Sequence, residues 1–374
     1  MRYLVLNGPN LDLLGTREPG IYGSMTLHDV EDQCVIWAAE LGDSVECHQS
    51  NHEGTLIERI HASRDRVDGI VLNAGAYTHT SYAIHDAITA VGIPTVEVHI
   101  SNVMEREPWR RESRIRPACI HAIYGRGTDG YHWALRHLHH RLATPPTILA
   151  YGDHPDQVGD LRLPDGPGPH PLAVVVHGGF WKHQWTRDTV DGIAVDLTGR
   201  GVATWVPEYR RVGTGGGPAT IDDVRDAVAF VSGRDDIDRS RMVLVGHSAG
   251  GHLALLAARN VGAAAVVGLA PVSDLGEAAS AGLGSDAVRA LIPDGPLDDW
   301  DPIRRLPLGV PQVVVHGDED DSVPITMSDH YVAEAEAAGD EVEYLRLEAT
   351  GHMDLIDPTK AAWARARTAI LDHL

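Results

Sequence analysis

The chain has 374 residues, 43% apolar and 22% charged, and a formal net charge of −22. This is ordinary globular composition with room for two or three domains, so wholesale disorder is excluded. The acidity argues against a nucleic-acid backbone or an anionic membrane surface as partner.

Charge is uneven: residues 1–144 hold 13 basic and 18 acidic groups, net −5, and the remainder holds 18 and 35, net −17. Cys34, Cys47 and Cys119 are the three cysteines, without metal or disulfide spacing, which points to a cytoplasmic address. The opening segment turns polar after three apolar residues, too few for a signal h-region, and no run reaches the ~18 apolar residues a membrane span needs.

In chain order, short β-rich runs occur at Leu4–Leu6, Val45–Cys47, Ile70–Leu72, Thr95–Ile100 and Ile120–Tyr124, with helical patterns near 26–41, 53–66, 80–91 and 130–142. That alternation predicts βαβ units and a flavodoxin-like five-stranded parallel sheet. Ala143-Thr144-Pro145-Pro146 marks a boundary between a 1–144 domain and a 145–374 domain. A second α/β series follows, with strand patterns at Val174–His177, Val202–Val206, Val243–Gly246, Ala264–Leu269 and Gln312–His316. Gly125-Arg126-Gly127-Thr128-Asp129-Gly130 fits a dinucleotide fingerprint, but it follows the last strand of its domain and no later strand carries a ribose-binding acid. The histidines at 132, 137, 139 and 140 read as a solvated helix face, not a metal site.

Polar clusters fall at the ends of the first domain's strands: Asn7-Gly8-Pro9-Asn10, then Arg17 and Tyr22 in a Gly/Pro-rich loop, Asn73 through Ser81, and Glu97 through Asn102. In a doubly wound sheet such positions converge on one crevice. Together with Gly-x-Arg-Glu-Pro-x-x-Tyr-Gly and Gln-Ser-Asn-x-Glu-Gly, these segments resemble the type II 3-dehydroquinases over residues 2–140. The resemblance implies removal of water from 3-dehydroquinate through an enolate, without metal or cofactor. It implies Tyr22 as the base for the C2 proton and Arg17 as the cation that makes that base usable. A tyrosine titrates near ~10, so work at neutral pH needs about 3–4 kcal/mol of phenolate stabilisation. His99 would be the acid for the departing hydroxyl, with Glu97 and Asn10 orienting the site. Asn73, His79, Ile100, Ser101 and Arg110 match substrate-binding positions, the last gripping the carboxylate. Asp86 matches a residue lent by a neighbouring subunit in a homo-oligomer built from trimers, up to a dodecamer. His85, Met104, Glu112, Arg114 and Arg116 depart from the family pattern, the first at the subunit interface.

In the second domain Gly246-His247-Ser248-Ala249-Gly250 lies between a strand and a helical pattern, a nucleophile elbow. Asp320, with Asp321 as second choice, supplies the acid and His352 the base, in the chain order of α/β-hydrolases. His177-Gly178-Gly179-Phe180-Trp181 ends an early strand, so Gly178 and Gly179 with the Ala249 amide form an oxyanion hole. The stretch 148–374 resembles the α/β-hydrolase superfamily, nearest its kynurenine formamidase and small-esterase branch, which implies a serine hydrolase of an unknown ester or amide. The expected protein is a cofactor-free fusion of dehydratase and hydrolase. Two alternatives stay open: a hydrolase with the first domain as oligomeric scaffold, or a dehydratase carrying an inactive binding module.

Overall fold

The computed structural model describes residues 1–292 and 297–374, with the side chains of Pro19, Tyr22 and Asn260 outside that set. The described residues divide into two units, Met1–Ala143 and Thr144–Leu374.

In the first unit, β1 (Arg2–Asn7) has no polar face: Tyr3 and Val5 pack into one cluster and Leu4 and Leu6 into another. A strand buried on both sides belongs inside a parallel sheet whose crossovers cover both faces. The helices that cover those faces are α1 (Pro19–Tyr22), α2 (Leu27–Glu40), α3 (Glu53–Ala62), α4 (Tyr82–Val91) and, after the last strand, α5 (Asp129–Ala143). With β2 (Ser44–Gln49), β3 (Gly69–Asn73), β4 (Thr95–His99) and β5 (His121–Tyr124) the order is β2-β1-β3-β4-β5, all parallel. This is the flavodoxin-like order, whose switch point lies between β1 and β3. Local signals start the helices. Thr26 and Asp29 form a reciprocal capping box before α2, and Ser81 Oγ accepts from the Ile84 amide before α4.

The expected solvated histidine face on α5 is corrected. His137 and His140 are buried, the His137 ring lies 4.6 Å from that of His121, and His132 stacks on Trp37. His139 Nδ1 donates to Asp43 Oδ2 at 2.7 Å. The helix covers one face of a narrow sheet, so imidazoles beside Tyr131, Leu135 and Leu138 are covered as core.

In the second unit the strands are β6 (Thr147–Ala150), β7 (Val158–Arg162), β8 (His170–Val176), β9 (Ala203–Pro207), β10 (Ile237–His247), β11 (Ala265–Leu269), β12 (Gln312–Gly317) and β13 (Val342–Leu347). Their order is β13-β12-β11-β10-β8-β9-β7-β6, parallel except for the two antiparallel pairings of β7. The helices α6 (Asp191–Thr198), α7 (Pro218–Ser232), α8 (Ala249–Val261), α9 (Leu275–Ser280), α10 (Ala287–Leu291), α11 (Ile325–Ala338) and α12 (Ala361–Asp372) join them. The edge strand β6 is largely exposed, which is why an apolar run does not mark it. Among the described residues no helix is long and apolar enough to cross a membrane.

Candidate active sites

The first cleft forms where the chain leaves β1, β3 and β4. The turns after β1 and β3 touch: a Cβ on Gly8 would sit 2.4 Å from the Ala74 carbonyl oxygen, so only glycine fits there. Beneath them Tyr131 of α5 donates to Asn7 Oδ1 at 2.6 Å and accepts from Asn73 Nδ2 at 2.9 Å. This buried chain sets the height of Asn73 in the cleft. Asn7 belongs to the polar cluster that the sequence marks at the end of β1, whereas Tyr131 escapes sequence reasoning as a site support because it reads as core.

Asn10, Arg17, Asn73, His79, His99, Ile100, Ser101 and Arg110 all line one cleft of about 680 Å³, part of it open solvent. Arg106 lines it too, and the sequence reading does not single it out from its arginine-rich neighbourhood. Its Nη1 donates to Ser101 Oγ at 3.4 Å. No carboxylate lines the cleft among the described residues, so three guanidiniums make it a receptor for an anion. Asn10 stands at the mouth in the left-handed region, φ 67°. Arg110 is held by Glu107 at 2.9 Å and lies 4.1 Å over the Trp109 ring.

Glu97 is buried below the floor. His99 Nε2 donates to its Oε1 at 2.6 Å, Ser113 Oγ donates to Oε2 at 3.0 Å, and Arg116 approaches at 3.5 Å. Burial alone would raise this carboxyl, but the His99 hydrogen bond and charge, Arg116 and Ser113 outweigh it and hold the value at about 2. An ionised carboxylate on Nε2 fixes the ring and leaves Nδ1 for the cleft. Arg116, a departure from the family pattern, thus serves as part of the support.

His79 Nδ1 donates to the Glu112 carbonyl at 2.7 Å. Its pKa is lowered by burial, with the charges of His99 and Arg110 adding, so it meets a ligand neutral. Asp86 lies exposed on α4 and does not line the cleft of its own subunit. The Tyr22 side chain lies outside the described residues; its backbone ends the single helical turn α1, five residues beyond Arg17.

The second site is built where β10 meets α8. Ser248 has φ 56° and ψ −122°, a strained elbow conformation that carries its side chain off the strand end. A Cβ on Gly250 would lie 2.1 Å from the Val176 carbonyl oxygen, so the flanking glycine is a packing requirement. Gly178 abuts the elbow: its Cβ would sit 2.9 Å from that of Ser248. Gly178, Gly179, Ser248 and His352 line one pocket, and Ala249 opens α8 with its amide at the positive end of the helix.

The carboxylate that meets His352 is that of Asp320, accepting from Nδ1 at 2.6 Å, while Asp321 accepts from Ser322 Oγ at 3.0 Å. Asp320 Oδ1 accepts from the Ser322 and Val323 amides, both at 2.8 Å. Desolvation opposes its charge, yet the bonds from His316 and His352 and the backbone amides keep the Asp320 pKa far below the ordinary range.

Glu208 is missed by sequence reasoning. It accepts from His177 Nε2 at 2.8 Å and pairs with Arg211 at 3.1 Å and Arg187 at 3.7 Å, all under the His177-Gly178-Gly179 turn. Burial opposes its charge, but Arg211, His177 and Arg187 hold the carboxyl at about 2. Tyr209 stacks on His177 at 4.3 Å and donates to its carbonyl at 2.8 Å. The signal was Val206-Pro207-Glu208-Tyr209 at a strand end.

One group among the described residues could gather ligand atoms for a metal: Asp274, Glu277 and His330, within 4.8 Å of one another. Asp274 already caps α9 through the Glu277 amide, and none of the three lines either cleft.

Comparison with known proteins matches the class II dehydroquinase model to residues 1–139 and a model named BD-FAE to residues 160–275. Catabolic 3-dehydroquinase 1 of Aspergillus terreus is 56% identical over 135 residues, covering 36% of this chain and 89% of that protein. 3-Dehydroquinate dehydratase 1 of Agrobacterium fabrum is 54% identical, covering 36% and 93%. The second unit has the fold of a truncated carbohydrate esterase from gut microbiota, at TM-score 0.54, 20% identity and coverage of 61% and 95%.

Proposed function

The chain belongs, through residues 1–139, to the class II dehydroquinase family, and on that premise we propose that its first unit converts 3-dehydroquinate to 3-dehydroshikimate. The observation that carries this is the buried Glu97–His99 pair at 2.6 Å in the floor of a cleft that three arginines make anion-binding. Arg110 and Arg106 take the carboxylate, and Asn73, Ser101 and neutral His79 take ring hydroxyls. Tyr22, with Arg17 lowering the cost of its phenolate, removes the C2 proton. The resulting enolate then expels the C1 hydroxyl as water, with the proton delivered by His99 and Glu97 stabilising the imidazolium. Asp86 completes the site of a neighbouring subunit in a trimer-based homo-oligomer, located in the cytoplasm. Incubation with 3-dehydroquinate is expected to raise the ultraviolet absorbance of the conjugated product, and a flat trace at saturating substrate would remove the proposal.

The second unit acts as a serine hydrolase. Ser248 attacks a carbonyl carbon, His352 takes and returns the proton, and Asp320 orients His352 and stabilises its charge. The Gly179 and Ala249 amides receive the oxyanion. The supporting observation is that His352, held by Asp320 at 2.6 Å, lines the same pocket as Ser248 on its elbow. p-Nitrophenyl acetate should be turned over and a fluorophosphonate should label Ser248; loss of both signals in Ser248→Ala is the expected control.

A further inference from the structure

The acid that meets His352 sits on a loop: β12 ends at Gly317, α11 begins at Ile325, and Asp320 lies between them. Its Oδ1 is held by two amides of that same loop. Its Oδ2 meets two imidazoles, His352 Nδ1 at 2.6 Å and His316 Nε2 at 3.2 Å. His316 has no part in the serine-hydrolase reaction as described above, yet it is fully buried in β12 with both ring nitrogens engaged. Nε2 faces two acceptors, the Val323 carbonyl at 3.0 Å and Asp320 Oδ2, so it carries the ring proton. Nδ1 is then the acceptor for Ser328 Oγ of α11, at 2.7 Å, and Ser328 is buried as well. The tautomer is thus locked from α11, and an N–H is presented to the carboxylate from the sheet. Between buried groups such a donor acts on the charge of Oδ2 far more than it would at the surface. Burial opposes the charge of Asp320, and the contacts with His316 and His352 are the first to offset it.

We propose that His316 is a positioning residue for the hydrolase: its Nε2 proton, shared between the Val323 carbonyl and Asp320 Oδ2, fixes the carboxylate against His352, takes up part of its negative charge, and so sets the acid limb of the pH profile. This rests on the serine-hydrolase reading of Ser248. The sign follows from the geometry. Without the His316 donor, the whole charge of Oδ2 faces His352, its imidazolium form is favoured, and a higher pH is needed to free the base. The acid limb then moves up. A residue that only filled space would lower the rate at every pH and leave the limb in place. The other titratable groups around these three side chains are unchanged by a substitution at 316. His247 of β10 has its ring 4.4 Å from that of His352, and Asp329 of α11, which feels the charge of His316, is paired with Arg346 of β13 at 2.6 Å.

The full chain is assayed with p-nitrophenyl acetate across the acid limb of kcat, as wild type and three variants. In His316→Gln the side-chain amide nitrogen reaches the place of Nε2; in His316→Asn it reaches only that of Nδ1; His316→Met fills the site without a donor. His316→Gln is expected to hold the limb within about 0.2 pH unit of wild type. His316→Asn and His316→Met should raise it by at least about 0.5 unit, with kcat on the plateau down about 10-fold and KM within about 2-fold. An unmoved or lowered limb in a folded Asn or Met variant, or a limb raised as far in the Gln variant, would overturn the proposal. Circular dichroism identifies the folded variants. If the Gln variant alone folds, a limb at the wild-type position supports the proposal and a displaced one overturns it. Fluorophosphonate labelling of Ser248 separates the two failures. A labelled, active enzyme whose limb ignores His316 sinks only this role, whereas a wild type neither labelled nor active sinks the hydrolase reading and the proposal with it.

Discussion

A histidine becomes a directed acid when one nitrogen is committed, and His99 has that commitment in Glu97. The carboxyl is held at about 2 in the fold, against an ordinary glutamate near ~4.3. Because the folded value is the lower one, the pair's stabilisation is complete above about pH 4.3 and drains away as pH falls towards 2. Acid unfolding of the first unit should therefore be shallower in Glu97→Gln than in wild type across that window, and identical curves would show that the pair carries no pH-dependent stability. The same variant should lose about 100-fold in kcat for dehydration with little change in KM, because substrate binding rests on other side chains. Tyr22→Phe, which removes one hydroxyl, is expected to cost about 10²–10⁴ in kcat and leave ester hydrolysis untouched. A residual rate above a few per cent would assign the base elsewhere.

At the scale of elements, both sites are strand ends held by something beneath them. In the first unit it is the Asn7–Tyr131–Asn73 chain; in the second it is Glu208 under the His177-Gly178-Gly179 turn. Glu208 joins the ends of β8 and β9 to Arg187, and on the proposed mechanism it acts as a positioning residue for the turn that carries Gly179. Glu208→Gln should lower kcat for p-nitrophenyl acetate by about 10–100-fold, the scale of weakening one oxyanion donor, and leave KM nearly constant. The rate of fluorophosphonate labelling, which passes through a similar oxyanion, should fall in parallel. Unchanged labelling with a folded variant would make Glu208 a purely structural residue.

At the scale of the whole molecule, the two units share no site residue, so their chemistries are separable by mutation. Within the first unit, Asp86 is exposed on α4 and absent from the cleft of its own chain, so its proposed role requires an assembly that brings it to a neighbour's cleft. His85 beside it keeps its Nδ1 on the Arg114 carbonyl at 2.9 Å, inside its own subunit. Light scattering should give a multiple of three. A sharper check mixes inactive Tyr22→Phe with inactive Asp86→Asn chains under exchange. If Asp86 is lent across the interface, about a quarter of the sites regain both groups and dehydration returns in that proportion. No recovery from exchanged subunits would show that Asp86 is not lent across an interface.

What the sequence by itself determined here is what local chemistry can encode. Strand-and-helix alternation sets an α/β chain, buried runs such as Leu4–Leu6 and Ile70–Leu72 require a sheet covered on both faces, and motifs at strand ends bring Asn10, Asn73, His99, Ser248 and His352 to two clefts. Only the tertiary structure decided matters that depend on long-range neighbours. It put His137 and His140 in the core, because a helix's covered face is chosen by the sheet beneath it. It put Asp320 and not Asp321 against His352, because two adjacent acids differ in direction, not composition. It also recruited Tyr131, Arg116 and Glu208 as supports, because a buried polar group is selected by the partner it must satisfy, and those partners are 58, 19 and 31 residues away.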